Sequence, residues 1–224
     1  MQRLWLSWDW EGARTDIDRA LALAPGNADA HRRRGQLLMT LGSVSAAREE
    51  FLKATDLDPL NSANWAWLSE AEIWLRHFDA GEHALQRSLG LLSDSAPDFY
   101  IEHMATLSLR KGDVEAAARW AQNFADPRDR KGWMAVVEYS AGRTAHARET
   151  RDAVLAKLGN KDPYAAARLN AWFGDRDAAF TFLEQSYARH VPWLRGLKFD
   201  TALEGLHSDP RWAALLKKMN LPLD

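Results

Sequence analysis

Two stretches of the chain, GARTDIDRALALAPGN (residues 12–27) and AAREEFLKATDLDPLN (residues 46–61), align without a gap. The alignment sets Ala13 over Ala47, Ile17 over Phe51, Ala20 over Ala54, Pro25 over Pro59 and Asn27 over Asn61, and every step is 34 residues. Each stretch reads as one amphipathic helix with small residues on the packing side. Proline closes the unit because it cannot continue a helix, and the asparagine that follows can cap the next one. A fixed period of this length marks stacked supersecondary units, none of which can bury its apolar face alone.

Period, small positions, aromatic and closing proline together resemble the tetratricopeptide repeat family. The resemblance implies that Ala47 and Ala54 are the small positions of a second helix, Phe51 its packing aromatic and Gly35 the small position of a first helix. Helices whose axes approach to ~8–10 Å need small side chains at the crossing, which accounts physically for the alanines and the glycine.

The same frame gives a third unit with Trp65 and Leu68 on its first helix and Phe78, Gly81, Leu85 and Ser88 on its second. The fourth carries Ala105, Gly112, Ala117 and Ala121, the fifth Ala135, Gly142 and Ala147, and the sixth Ala167, Gly174, Ala179 and Leu183. Gly112, Gly142 and Gly174 each fall between two helical patterns, where a left-handed turn residue is wanted. They are 30 and 32 residues apart, so the period drifts. The match is strongest over 11–61, good to 92 and degenerate over 96–190. The expected fold is all-α: a right-handed superhelical solenoid of about five and a half antiparallel helix pairs over residues 1–198, closed by a C-terminal capping segment over 199–224.

The capping segment leaves the repeat. Asp209–Pro210 starts a helix on which Trp212, Leu215, Leu216 and Met219 share a face, with Lys217 and Lys218 in the last turn, where cations favour the helix dipole. A solenoid needs such a cap to cover its last repeat. The closing stretches FGDRDAAFTFLEQSYARHVPWLRGLKFD and HSDPRWAALLKKMNLP resemble tetratricopeptide regions fused behind bacterial signalling modules, including winged-helix transcriptional regulators, nucleotide cyclases and serine/threonine kinases. At the other end the frame puts Met1 near the middle of a first helix, with Leu4, Trp5 and Trp8 on a short helix without a polar cap. Such an edge is expected to be covered by upstream sequence, by a second copy of the chain in a homodimer, or by the segment folding back.

Composition narrows the function. With 29 basic and 31 acidic residues the net charge is −2, and the longest run of like charge is Arg32–Arg34, so neither nucleic acid nor a membrane surface is an expected partner. No apolar stretch approaches the ~18 residues of a membrane span, and the N-terminus lacks the basic start and apolar run of a secretory signal. A cytoplasmic location is expected, or a periplasmic one for a piece of a membrane-anchored regulator. The absence of cysteine removes disulfides, thiolate catalysis and zinc knuckles. The eleven tryptophans read as packing anchors.

Catalytic signatures are absent: no HExxH, GxxxxGK[ST], GxSxG or GxGxxG occurs. No two histidines stand at the i, i+4 spacing that places two ligands on one helix face. Glu102 and His103 are adjacent on a helix and point about 100° apart, too far to act on one substrate atom. No catalytic residue, metal site or cofactor is expected, and a small-ligand receptor or enzyme centred on Tyr164, Arg168 and Trp172 is the least favoured reading.

Binding residues follow from the resemblance. First helices of tetratricopeptide domains line a concave groove, and the corresponding positions here are Arg32, Gln36 and Met39, then Glu70, Ile73 and Trp74, then Phe99, Glu102, Thr106 and Arg110, then Tyr139, and finally Tyr164, Arg168 and Trp172. Aromatic and arginine side chains dominate binding hot spots, although packing against the next turn explains Trp74 and Trp172 equally well. Gln36 and Trp67 replace the asparagines that, in chaperone-binding members, clamp a C-terminal carboxylate. The expected partner is a protein or peptide segment with apolar anchors and a few ion pairs, within a bacterial regulatory or signalling assembly; self-association through the N-terminal edge is the alternative.

Overall fold

The structure is a computed structural model, and it describes residues 8–92, 97–158 and 161–223. Contacts divide the chain into two compact units. The first comprises residues 1–96 with 195–199 and 219–224; the second comprises 97–194 with 200–218. The described residues form helices and turns, with no strand among them.

In the first unit α1 (Trp10–Leu23) packs on α2 (Ala28–Thr40), which pairs with α3 (Val44–Leu57), and α4 (Ser62–Trp74) pairs with α5 (Phe78–Leu89). The alignment that revealed the repeat overlays α1 on α3. Asn27 and Asn61 both act as N-caps, accepting hydrogen bonds from the amides of Ala30 at 3.0 Å and Ala63 at 3.1 Å. Phe51, with no exposed surface, fills the space that Gly35 leaves open; a Cβ on Gly35 would lie 2.4 Å from its ring. Gly81 has the same role beside Ile73, at 2.9 Å. Buried Asn64 donates to the carbonyls of Ala54 and Asp58, both at 3.0 Å, and so ties α4 to the C-terminal end of α3.

The second unit holds three further pairs: α6 (Asp98–Arg110) with α7 (Val114–Ala121), α8 (Pro127–Ser140) with α9 (Thr144–Leu158), and α10 (Pro163–Trp172) with α11 (Arg176–Ala188). Ala105, Ala117, Ala121, Ala135, Ala147, Ala167, Ala179 and Leu183 are all buried, as their places in the repeat require. Gly112, Gly142 and Gly174 have φ of +79°, +82° and +74°, the left-handed conformation expected between the helices of a pair. Gly42 completes the set in α2–α3 at +92°, and in α4–α5 the position falls to Arg76, at +64°.

After α11 the chain runs through a 3₁₀ helix over Pro192–Phe199, a second over Thr201–Leu206, and α12 (Pro210–Lys218). The sequence pattern announces α12 but not the two 3₁₀ helices. Asp209 caps α12 and is held by Arg211, while Trp212, Leu215, Leu216 and Met219 are buried as expected. The helix covers α11: Arg211 pairs with Asp177 at 2.8 Å and lies 4.4 Å above the Phe180 ring, and Lys218 reaches Glu184 at 2.7 Å. These ion pairs join residues 34 apart, so α12 returns to the register of the opening repeats.

Leu4 and Trp5, read as part of an N-terminal edge, lie outside the described residues. Trp8, placed with them on a short helix by the repeat frame, instead has φ of +51° and stands just before Asp9, which caps α1 by accepting from the Gly12 amide at 2.9 Å. No described helix is long and apolar enough to cross a membrane.

Candidate partner-binding faces

The residues read as groove-lining lie on first helices, and the two units treat them differently. In the first unit Gln36, Met39 and Ile73 are interior: Met39 belongs to the apolar cluster around Phe51, and Ile73 packs over Gly81. Their side chains are used in joining helices, and Gln36 accepts a hydrogen bond from Arg33 at 3.3 Å. Arg32 is largely buried and paired with Asp29; burial and the neighbouring Arg33 lower its affinity for the proton, and Asp29 opposes them. Glu70 and Trp74 are half-buried, Trp74 at the rim of the apolar cluster.

Above these helices lies the chain's own C-terminal segment. Trp67 stacks on Phe51 at 6.0 Å on one side and meets the edge of Phe199 at 6.3 Å on another, with the Arg195 guanidinium 5.4 Å from its ring centre. Lys198 donates to the carbonyls of Leu41 at 3.3 Å and Pro222 at 3.1 Å. Trp10 donates its indole N–H to the Met219 carbonyl at 2.8 Å. Residues 195–199 and 219–222 are therefore part of the first unit's packing, with Leu197 and Phe199 buried.

In the second unit the nominated residues converge on an ionic cluster. Glu102, Thr106 and Arg110 recur every four residues on α6, and Tyr164, Arg168 and Trp172 do so on α10, which puts each set on one helix face. Arg168 pairs with Glu102, and its Nε lies 2.7 Å from Asp200 Oδ2. Tyr164 donates its hydroxyl to the same Asp200 oxygen at 2.8 Å. Arg110 pairs with Glu204. Burial alone would disfavour the charges on Arg168 and Glu102. Asp200 and Glu102 nevertheless hold the guanidinium well above its ordinary range, and Arg168 keeps Glu102 below the usual carboxylate range. Burial, followed by the charge of Asp200, pushes the Tyr164 hydroxyl well up, so it stays a donor.

The remaining candidates are dispersed. Thr106 is buried, and Phe99, 40% exposed, lies against Tyr100 and His103. Tyr139 bonds the Phe173 carbonyl at 3.4 Å beneath Arg148, and half-buried Trp172 meets Trp133 edge-on at 6.3 Å. Glu102 turns to Arg168 while His103 bonds the Phe99 carbonyl, the divergence expected of adjacent helix residues. Asp200 and Glu204 are the members that the repeat frame did not nominate. Their signal is local: Asp200 stands before Thr-Ala-Leu as an N-cap and accepts from the Ala202 amide at 3.0 Å, which puts Glu204 one turn further on.

No family model matches the chain, and no curated protein matches it in sequence. Solved structures match its fold. YrrB, described as a TPR protein with an unusual peptide-binding site, shares 13% identity over 81% of this chain and 95% of its own, at a TM-score of 0.51. PilF of Pseudomonas aeruginosa shares 21% over 85% of this chain and 89% of its own, at 0.56. A chain of the APC/C hetero-tetramer Cut9–Hcn1 shares 15% over 96% of this chain but only 47% of its own, at 0.61. Identities this low speak for fold alone. The helix pairs, the small residues at their crossings and these likenesses agree that the chain has an all-α tetratricopeptide-type repeat fold.

Proposed function

We propose that the chain is a protein-interaction module that holds a protein or peptide segment against its first helices, working within a bacterial regulatory or signalling assembly. The observation that carries this reading is the α6–α10 face, where Tyr164, Arg110 and Arg168 hold the acidic groups of a segment outside the repeat. A helix face that binds a non-repeat segment of its own chain has the shape and chemistry to bind another. YrrB, which matches this chain in fold, is described as having a peptide-binding site. A fold of this type hosts many roles, so the weight rests on the face and its residues.

Phe99 and Arg110 keep exposed or half-exposed surface and are the residues of α6 through which a partner would be felt first. An array of peptides varied in charge and aromatic content, probed with the full chain, tests the reading. Binding of a defined peptide class, weakened about tenfold or more by Phe99→Ala with Arg110→Ala while the helical circular dichroism is unchanged, is expected from loss of one aromatic and one arginine anchor. An array without a binder, or binding indifferent to both substitutions, would sink it.

A further inference from the structure

The segment already seated on α6 and α10 specifies what a competitor must look like. Two side chains of LKFDTALEGLHS (residues 197–208) are held by these helices within the second unit, Asp200 on Arg168 and Tyr164 and Glu204 on Arg110, and Leu203 and Leu206 beside them are buried. Resting on the interaction reading above, we propose that this segment is a built-in pseudo-ligand, and that the partner of the α6–α10 face is a segment with the same chemistry. Such a partner carries two carboxylates four residues apart, with leucines beside them, and binds by displacing residues 200–206.

The charge arrangement selects for acid. Arg110 and Arg168 are the cations that α6 and α10 present among the nominated positions, and both are matched by carboxylates from the segment rather than by the helices alone. A basic segment would bring like charge to two guanidinium groups. A neutral one would leave Arg168 with Glu102 as its carboxylate and take the Glu204 carboxylate from Arg110, so it forgoes both ion pairs that an acidic segment restores. The apolar requirement is equally specific, because displacing Leu203 and Leu206 exposes two buried side chains that the incoming segment must replace.

The seated segment is also held in a form that can be exchanged. A 3₁₀ helix of six residues has poorer hydrogen-bond geometry than an α-helix and little stability alone. Glu204 remains about half exposed, and a Cβ at Gly205 would meet nothing within 4 Å, so one side of the segment faces open space. Being tethered, it competes at an effective concentration of about millimolar, which lowers the apparent affinity of any partner in proportion to the fraction of time the face is covered. Weakening the tethered copy should therefore strengthen binding in trans.

The test uses the full chain and a fluorescent synthetic peptide of residues 197–208. Binding is measured to the wild type, to Glu204→Gln, a substitution at an exposed position that leaves the core intact, and to Leu206→Ala, which loosens the segment more. The affinity should rise from wild type to Glu204→Gln and by about tenfold or more in Leu206→Ala. A peptide with both carboxylates changed to amides should lose most of that binding, and hydrogen exchange of the chain's own residues 200–206 should rise as the acidic peptide binds. If Leu206→Ala does not fold, Glu204→Gln and the exchange experiment decide the matter alone. Equal affinity for wild type and variants, or no exchange response, overturns the pseudo-ligand. A basic or neutral peptide that binds this face when the acidic one does not overturns the partner chemistry and leaves the interaction reading standing. Failure of every peptide on every form overturns both.

Discussion

The first helices of the two units are covered by opposite chemistries. In the first unit the covering contacts are apolar and aromatic, centred on Trp67 between Phe51 and Phe199, and the nominated residues Gln36, Met39 and Ile73 are part of the interior. In the second unit they are ionic, centred on Arg168 between Glu102 and Asp200, with Arg110–Glu204 at the edge. Apolar burial gains stability from area and is indifferent to which segment supplies it. A charged cluster gains it only from matched partners, so it discriminates. The same repeat position thus serves apolar packing in one unit and ion pairing in the other.

Removing the centre of the apolar side should have the largest effect. Phe51→Ala empties a fully buried site that neighbouring Gly35 cannot fill, and a loss of about 3–5 kcal/mol is expected, measured as a shift of the urea midpoint. The loss should be insensitive to salt. A smaller cost, near 1 kcal/mol, would show that the first unit collapses onto the cavity and is less tightly packed than the fit of Phe51 against Gly35 indicates.

Arg168→Met attacks the other side. It leaves Glu102 and Asp200 near one another without their cation, and about 2–3 kcal/mol of destabilisation is expected, below the full cost for a wholly buried pair because both Arg168 and Glu102 retain some solvent access, at 22% and 27%. Adding Glu102→Gln to Arg168→Met should recover part of the loss, and a double-mutant cycle with thermal melts reads the coupling directly. Simple additivity of the two substitutions would mean that the ionic cluster is not a unit.

How far this contrast could be read from sequence follows from what each half of it needs. The small and aromatic positions Gly35, Ala47, Phe51 and Ala54 recur at fixed spacing because helix crossings repeat, so the fold was legible in residues 12–61 and the later helix pairs followed from their alanines and glycines. Spacing beyond residue 92 drifts because the helices themselves vary, from the 8 residues of α7 to the 15 of α9. Glu102, Arg110, Tyr164 and Arg168 were nominated through the resemblance to tetratricopeptide first helices, but their partners Asp200 and Glu204 were not, because those lie at and in a 3₁₀ helix without a repeat and are brought in by tertiary contact. Burial of Gln36, Met39 and Ile73 was hidden because a groove position and a packing position share one helix stripe, and tertiary neighbours such as Phe51 and Gly81 decide between them.

Acid offers a gentler way to separate the faces. Glu102 is held below its usual value by Arg168 against burial, and Asp209 is held down to about 2 by Arg211. A carboxylate whose pKa is depressed on folding contributes stability that is complete above its unfolded value and is lost as pH falls through the folded one. For Asp209 that window runs from 3.8 down to about 2, and for Glu102 it lies below 4.5. Amide exchange in α10 and in the second 3₁₀ helix should therefore accelerate, after correction for intrinsic rates, as pH falls below 4.5. Glu50 in the first unit, lowered by His31 and Lys53 against burial, adds a response in α3, so the contrast is read at Trp67, whose fluorescence should change last. A Trp67 signal that moves together with α10 would mean that the apolar cover does not hold independently of the charges.

The smallest effect concerns the turns and runs the other way. Among the described residues, four of the five helix pairs place glycine in the left-handed position between their helices, and the fifth, α4–α5, places Arg76 there at φ +64°. An L-residue in that conformation costs about 1 kcal/mol relative to glycine, because its Cβ crowds the carbonyl oxygen. Arg76→Gly should therefore stabilise the first unit by up to about 1 kcal/mol, less whatever the Arg76 guanidinium gains 5.7 Å from the Phe78 ring. At this chain length that amounts to about 2–4 °C in a thermal melt. The matching substitution in the second unit, Gly142→Ala, meets no neighbouring atom within 4 Å and can act only through the backbone, so its loss measures the conformational cost free of packing. If Arg76→Gly gains less than Gly142→Ala loses, the difference is the contribution of the Arg76 side chain to the α4–α5 turn.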